Sequence, residues 1–217
     1  MISDTSLATL AQAIYLKLSY YQAVSYANIL AESSIRYPVA EYLERRLNYN
    51  QIVLEYPNPV FKKRRCDLYV DKGSADKTIF EFKYVRDNTS YEFQEYFDDI
   101  LRLHHLHLMG IQSLFVVCGN SLNYNNQFRC IKKRSIILSS KKSRPTGKFS
   151  QVLSFYANKT YKNIDTKKYS VNYLDFCNHY EFNAPLVNHP ASLAFQTRLV
   201  CLIHELGPQS VGIWEVL

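Results

Sequence analysis

The chain has 217 residues, of which 47% are apolar and 14% aromatic, with only 6 glycines and 7 prolines. This composition excludes a disordered or fibrous protein and predicts one packed domain spanning residues 1–217. Lys and Arg number 26 against 19 Asp and Glu, a formal charge of +7 that suits a polyanionic partner.

The N-terminal part of the chain is predicted to be helical. Apolar residues recur with helical spacing over residues 5–48, which indicates two helices, Thr5–Leu18 and Tyr21–Leu47. Pro38 either starts a new helix or kinks a continuous one.

Short runs of β-forming residues follow the helices. They are Gln51–Tyr56, Arg65–Val70 and Thr78–Val85, and turn residues between the last two predict an antiparallel meander. Ser90–Met109 then carries apolar side chains on one helical face, and Leu114–Cys118 is fully apolar, as in a buried central strand. This order predicts an α/β (α+β) fold with a mixed β-sheet flanked by helices.

Beyond residue 120 the patterns are shorter and more polar. They predict a loop at Asn123–Gln127, a strand at Ser135–Ser139, a short helix at Phe149–Ala157, a helix at His189–Leu206 and a strand at Val211–Leu217. The helix prediction at His189–Leu206 depends on Pro190 near its start and Gly207 just after its end.

The cysteines and the N-terminus bear on location. The five cysteines are odd in number and have neither zinc-site nor disulfide spacing. The N-terminus lacks the pattern of a signal peptide, and no apolar run reaches membrane-spanning length. We therefore expect a cytoplasmic protein without a membrane partner.

Charged residues interrupt the apolar pattern of Thr78–Val85. Glu81 and Lys83 share one face of this predicted strand with Ile79 and Val85, because alternate residues of a strand point to the same side. A buried carboxylate and ammonium cost free energy unless they are paired or bind a ligand. Asp67, near the start of the preceding strand, is expected to approach Glu81 across the ladder.

Two converging carboxylates repel each other, and a divalent cation relieves this repulsion. Mg²⁺ favours a pair of carboxylates, with waters and a phosphate completing its shell. We therefore expect Mg²⁺ or Mn²⁺ at Asp67 and Glu81. Lys83 would orient a water or neutralise charge on a phosphate under attack.

This arrangement, Asp67 followed by Glu81-Phe82-Lys83, resembles that of the PD-(D/E)xK nuclease superfamily, with Cys66 in place of the usual preceding proline. The resemblance covers about residues 25–118 and leaves residues 120–217 as a C-terminal elaboration. It implies a restriction-endonuclease-like core and Mg²⁺-dependent hydrolysis of phosphodiester bonds in DNA, with a role in restriction, defence or a mobile element. It also suggests a homodimer.

In such proteins an acidic residue on an early helix joins the site. Glu32 falls on the predicted buried face of its helix, and Glu32 with Arg36 looks like the Glu-x-x-x-Arg start of several restriction-type relatives. This choice requires an unbroken helix at Pro38; a break there makes Glu41 the candidate.

The expected substrate contacts are basic or polar residues near the motif. The run Lys62, Lys63, Arg64 and Arg65 leads directly into Asp67 and is suited to a phosphate backbone. By the resemblance, Gln94 on the following helix is expected to reach substrate or a metal-bound water; the alternative is that Gln94 is simply an exposed helix residue.

Two alternatives stand beside the nuclease hypothesis. The first is a catalytically inactive nucleic-acid-binding or interaction subunit with the same fold. The second is an interaction domain in which Asp67, Glu81 and Lys83 form a structural ion-pair network.

Overall fold

A computed structural model gives the fold of the chain. It describes residues 1–26, 30–47, 49, 51–61, 64–73, 76–86, 93–129, 152–154, 166–172, 192–204 and 207–217. Within these ranges the elements are, in chain order, α1 (Asp4–Ala23), α2 (Ser33–Leu47), β1 (Gln51–Pro57), β2 (Arg65–Asp71), β3 (Lys77–Val85), α3 (Phe93–Leu108), β4 (Gln112–Asn120), α4 (Ser121–Arg129), β5 (Thr166–Asn172), β6 (Ser192–Ile203) and β7 (Gln209–Val216).

The seven described strands form one mixed sheet in the order β1-β2-β3-β4-β7-β6-β5. β3 and β4 pair in parallel, and every other neighbouring pair is antiparallel. Helix α3 connects the parallel pair, as a crossover must. The predicted meander, the central position of β4 and the final strand are confirmed, and the fold is α+β with helices packed on a mixed sheet.

The sheet separates two apolar cores. One core joins α1 and α2 to a set of strand residues that includes Phe80 and Phe82. The other joins α3 and α4 to the opposite side, where Ile79 and Val85 lie. This alternation along β3 places Glu81, between Ile79 and Val85 in sequence, on the side of α3.

The N-terminal helices differ from the prediction in their bounds. α1 continues to Ala23, and its N-terminus is capped by the Ser3 hydroxyl, which accepts a hydrogen bond from the backbone N–H of Ser6 at 3.2 Å. A single helix over Tyr21–Leu47 is therefore wrong, since α2 begins only at Ser33. Pro38 lies inside α2 and does not end it.

The predicted loop Asn123–Gln127 is wrong because these residues belong to α4. The Asn120 side chain accepts a hydrogen bond from the backbone N–H of Leu122 at 2.9 Å, as a helix cap does. Tyr124 and Phe128, one turn apart, are buried and stack at 5.0 Å, and Phe128 stacks on Trp214 at 5.7 Å. The burial of Tyr124 and Phe128 on one face therefore stabilises a helix here, although the residues between them are polar.

The predicted helix at His189–Leu206 is also wrong, because its described part forms strand β6. Phe195, Thr197, Cys201 and Ile203 are buried at odd-numbered positions, which is the period of a strand. Pairing with β5 and β7 on either side supplies the backbone hydrogen bonds that a helix would have made internally.

Strand β5 was not predicted. The predicted strand Ser135–Ser139 lies outside the described residues, as does the predicted helix Phe149–Ala157 apart from residues 152–154. The three strands described after residue 120 join the same sheet as the meander. None of the helices in the described ranges has both the length and the apolar character needed to cross a membrane.

Candidate functional site

Eight charged side chains meet where β2 and β3 separate, between α2 and α3. This charged cluster consists of Glu32, Arg36, Glu55, Asp67, Glu81, Lys83, Asp99 and Arg102. Five carboxylates and three cations give it a formal charge of −2 when all are ionised, within a chain of formal charge +7. It contains all four predicted catalytic residues, Asp67, Glu81, Lys83 and Glu32.

Asp67 lies where the β2–β3 ladder ends. The last backbone pair is Leu68 with Phe80, and beyond it Oδ2 of Asp67 accepts a hydrogen bond from the backbone N–H of Phe82 at 2.7 Å. Oδ1 of Asp67 lies 2.5 Å from Nη2 of Arg36. Burial raises the pKa of Asp67 to about 6, despite the opposing effects of the Phe82 N–H and Arg36.

Glu81 and Asp99 are the two most deeply buried acids of the cluster, each with 4% of its surface exposed. Among the described residues the Oε1 atom of Glu81 has no hydrogen-bond partner, and Nη2 of Arg102 lies 3.8 Å from it. Burial raises the pKa of Glu81 well above its usual value, and the carboxylates of Asp99 and Asp67 raise it further.

Lys83 lies between two acidic residues. Its Nζ atom is 2.8 Å from Oδ2 of Asp99 and 3.7 Å from Oε1 of Glu32. Burial alone would lower the pKa of Lys83, but the Asp99 and Glu32 carboxylates outweigh it and the pKa is raised. The side chain therefore carries a positive charge at neutral pH.

Arg36 links the early acidic residue to the sheet. Its guanidinium contacts Glu55 and Asp67 and lies 3.4 Å from Glu32. Glu32 precedes the first residue of α2, so it reaches the cluster from the turn before the helix. Glu41, the alternative, is exposed and pairs with Arg45 at 3.2 Å. The structure thus brings Glu32, and not Glu41, to Lys83.

Sequence reasoning missed four members of the cluster: Arg36 as a site residue, Glu55, Asp99 and Arg102. Asp99 and Arg102 are three residues apart on α3, and Asp99 is buried. The sequence signal that could have found them is an acidic and a basic residue one helical turn apart, with apolar residues on every side of the helix around them. The prediction of a single apolar face for Ser90–Met109 concealed this pair.

The predicted substrate contacts are only partly described. Arg64 and Arg65 are exposed, and Nη1 of Arg65 donates to the backbone carbonyl of Glu55 at 3.2 Å. Arg65 is two residues before Asp67 on β2, so two exposed cations lie beside the cluster. Lys62 and Lys63 lie outside the described residues. Gln94 is in the first turn of α3, but its side chain also lies outside them.

The charged cluster fits a divalent cation. Within the described ranges, no three acidic, histidine or cysteine side chains form a ready-made set of metal ligands. Mg²⁺ needs only one or two carboxylates because it keeps several waters. Glu81 offers an oxygen that accepts no hydrogen bond from any described residue, and the Asp67 carboxylate raises the pKa of Glu81. One divalent cation would balance the formal charge of −2.

No protein-family model, curated protein or solved structure matches the chain.

Proposed function

We propose that this chain is a Mg²⁺- or Mn²⁺-dependent nuclease with a restriction-endonuclease-like core that hydrolyses phosphodiester bonds of DNA. The observation that carries the proposal is the buried Glu81 oxygen, which has no hydrogen-bond partner among the described residues and lies in a cluster with two more described carboxylates than cations. A buried carboxylate costs several kcal/mol unless it is compensated. Binding of a divalent cation would offset this cost.

Asp67 and Glu81 are the proposed metal ligands. Oδ2 of Asp67 accepts a hydrogen bond from the Phe82 N–H, and Oδ1 accepts one from Arg36. These two contacts fix the orientation of the carboxylate. A carboxylate has about four lone-pair positions, so these contacts leave room for a cation. When bound, a divalent cation polarises the phosphodiester and lowers the pKa of water.

Lys83 is the proposed cationic catalytic group. Because its pKa is raised, it acts as a positive charge and not as a proton acceptor. Its ammonium would neutralise negative charge that develops on the phosphate during attack. The exposed Arg64 and Arg65 would hold the neighbouring DNA backbone.

The fold supports the same proposal. An antiparallel meander carries Asp67 on β2 and Glu81 and Lys83 on β3, and α3 then leads to the parallel strand β4. This is the element order that the resemblance to PD-(D/E)xK nucleases implies. Because the cluster lies where β2 and β3 separate, residues from helices on both sides of the sheet reach it.

The test is cleavage of supercoiled plasmid DNA in Mg²⁺ or Mn²⁺, with EDTA as the metal-free control. We expect Lys83→Met to lower the rate by about 10²–10⁴-fold, since it removes several kcal/mol of charge stabilisation. Lys168→Met makes the same change at an exposed lysine of β5 and is the matched control. Cleavage that persists in EDTA or in Lys83→Met would contradict the proposal.

The other outcomes separate the alternatives. DNA binding without cleavage, unchanged by Lys83→Met, would support a catalytically inactive binding subunit. Unfolding of Asp67→Ala with no DNA binding by the wild type would support a structural ion-pair network. Linear product formed without a nicked intermediate would favour a homodimer.

A further inference from the structure

A pair of charges on α3 faces the pair of charges on β3. Nζ of Lys83 lies 2.8 Å from Oδ2 of Asp99, and Oε1 of Glu81 lies 3.8 Å from Nη2 of Arg102. Asp99 and Arg102 also contact each other through Oδ1 and Nη2. Each charge of the strand pair therefore has an opposite charge on the helix.

The spacing of the two pairs explains this match. Residues two apart on a strand are separated by about 6.6 Å, and side chains three apart on a helix by about 5–6 Å. A crossover helix between parallel strands runs opposite to them. The earlier helix residue, Asp99, thus faces the later strand residue, Lys83, and Arg102 faces Glu81.

We propose that Asp99 is a positioning residue that holds the Lys83 ammonium in the site and is itself anchored by Arg102. The inference rests on the proposed function, because it assigns Lys83 a role in hydrolysis. Lys83 has a long flexible stem, and ordering such a side chain costs rotamer entropy. The carboxylate of Asp99 is at hydrogen-bond distance and Glu32, at 3.7 Å, is not.

The buried position of Asp99 supports this role. Its side chain is 5% exposed, and that of Lys83 is 16% exposed, so the carboxylate lies behind the ammonium as seen from solvent. A substrate phosphate would meet Lys83 first. The orientation of Lys83 in the absence of substrate is thus set from the helix side.

The first test is the kinetics of Asp99→Asn on supercoiled plasmid in Mg²⁺. We expect kcat to fall about 10–100-fold, as when a supporting partner of a site residue is lost. The KM for plasmid should stay within about twofold, because Asp99 is more deeply buried than Lys83 and lies behind it as seen from solvent. Glu95→Gln on the same helix is exposed and is the control.

The second test is a double-variant cycle. If Asp99 acts through Lys83, Asp99→Asn should lower cleavage no further in a Lys83→Met background. Equal fold-losses in both backgrounds would overturn the inference, and so would an unchanged kcat in Asp99→Asn. If no wild-type preparation cleaves DNA in Mg²⁺ or Mn²⁺, the proposed function fails first, and the inference fails with it.

The third test needs neither activity nor a stable Asp99 variant. In protein labelled with ¹⁵N-lysine, the Lys83 ammonium should give a slowly exchanging ¹⁵Nζ signal that is missing in Lys83→Met. In folded Asp99→Asn this signal should exchange as fast as those of exposed lysines. An ammonium that already exchanges that fast in the wild type would overturn the inference.

Discussion

Two groups of charged side chains join distant segments of this chain, and they are built differently. In the first, Arg198 on β6 contacts Asp4 of α1 at 2.7 and 2.9 Å and Glu215 of β7 at 3.0 and 2.5 Å. The hydrogen bonds that the Arg198 guanidinium donates to Asp4 and to Glu215 raise the pKa of Arg198, although burial opposes them. Every charge of this group is engaged in short hydrogen bonds.

In the charged cluster around Glu81, by contrast, the charges are not all engaged in short hydrogen bonds among the described residues. It is more deeply buried, it contains two more carboxylates than cations, and the pKa values of Asp67 and Glu81 are raised. Around Arg198 the contacts are sufficient to hold the elements together. Around Glu81 the side chains that the structure describes do not compensate the charges, which is the property expected of a binding site.

The strongest test of this difference is Glu81→Gln. We expect cleavage in Mg²⁺ to fall by about 10²–10⁴-fold, because a proposed metal ligand is lost. The same variant should be more stable than the wild type in EDTA at pH 8, by roughly 1–3 kcal/mol, because a buried charge is removed. Plasmid cleavage and chemical unfolding measure the two effects. A less stable variant would place Glu81 with the structural ion pairs.

Asp67→Asn tests the pH dependence of the difference. Because the folded-state pKa of Asp67 is about 6, above its ordinary 3.8, its contribution to stability is fully present below about pH 4 and is lost as the pH rises through 6. From pH 4 to pH 7 the wild type should lose about 2 kcal/mol relative to Asp67→Asn. Urea unfolding in EDTA at these pH values measures this loss. A constant difference would refute the raised pKa.

Arg198→Ala should have the opposite effects to Glu81→Gln, with lower stability and unchanged cleavage. It leaves the partly buried Glu215 without its cation, and we expect the free energy of unfolding to fall by about 2 kcal/mol. For a domain of this size that corresponds to a Tm lower by about 4–8 °C. Cleavage well below the Tm should remain within twofold of the wild type. A selective loss of cleavage would show that the two groups are coupled.

The smallest effect is expected for Glu41→Gln. Glu41 pairs with Arg45 at 3.2 Å on the surface of α2, and exposed pairs of this kind contribute less than about 0.5 kcal/mol. Neither stability nor cleavage should change measurably. This variant is the matched control for Glu81→Gln, and a large effect would revive Glu41 as the early acidic residue.

The fold could be predicted from the sequence where one local pattern decided the structure. The strands of the meander and β4 have clear β-forming runs, and each is observed. His189–Leu206 was predicted wrongly because Pro190 and Gly207 suit the ends of a helix, whereas the strand depends on pairing with β5 and β7. Such pairing involves partners distant in sequence.

The candidate site, like the fold, could be predicted where a local pattern decided it and not where it depended on distant partners. Asp67, Glu81 and Lys83 were identified because strand alternation brings Glu81 and Lys83 to one face and a hairpin brings Asp67 near them. Asp99 could not be found in this way, because its partner Lys83 belongs to another element. A helix position acquires this role only when the crossover places it over the strand.

The end of the β2–β3 ladder gives the molecule a built-in reporter. Where a backbone carbonyl would ordinarily accept the Phe82 N–H, the carboxylate of Asp67 does so. Any ligand that draws this carboxylate away would expose one amide hydrogen in the interior of the sheet. Hydrogen–deuterium exchange at Phe82 can therefore show whether a bound cation shares Asp67 with the backbone or takes it, without following the reaction at all.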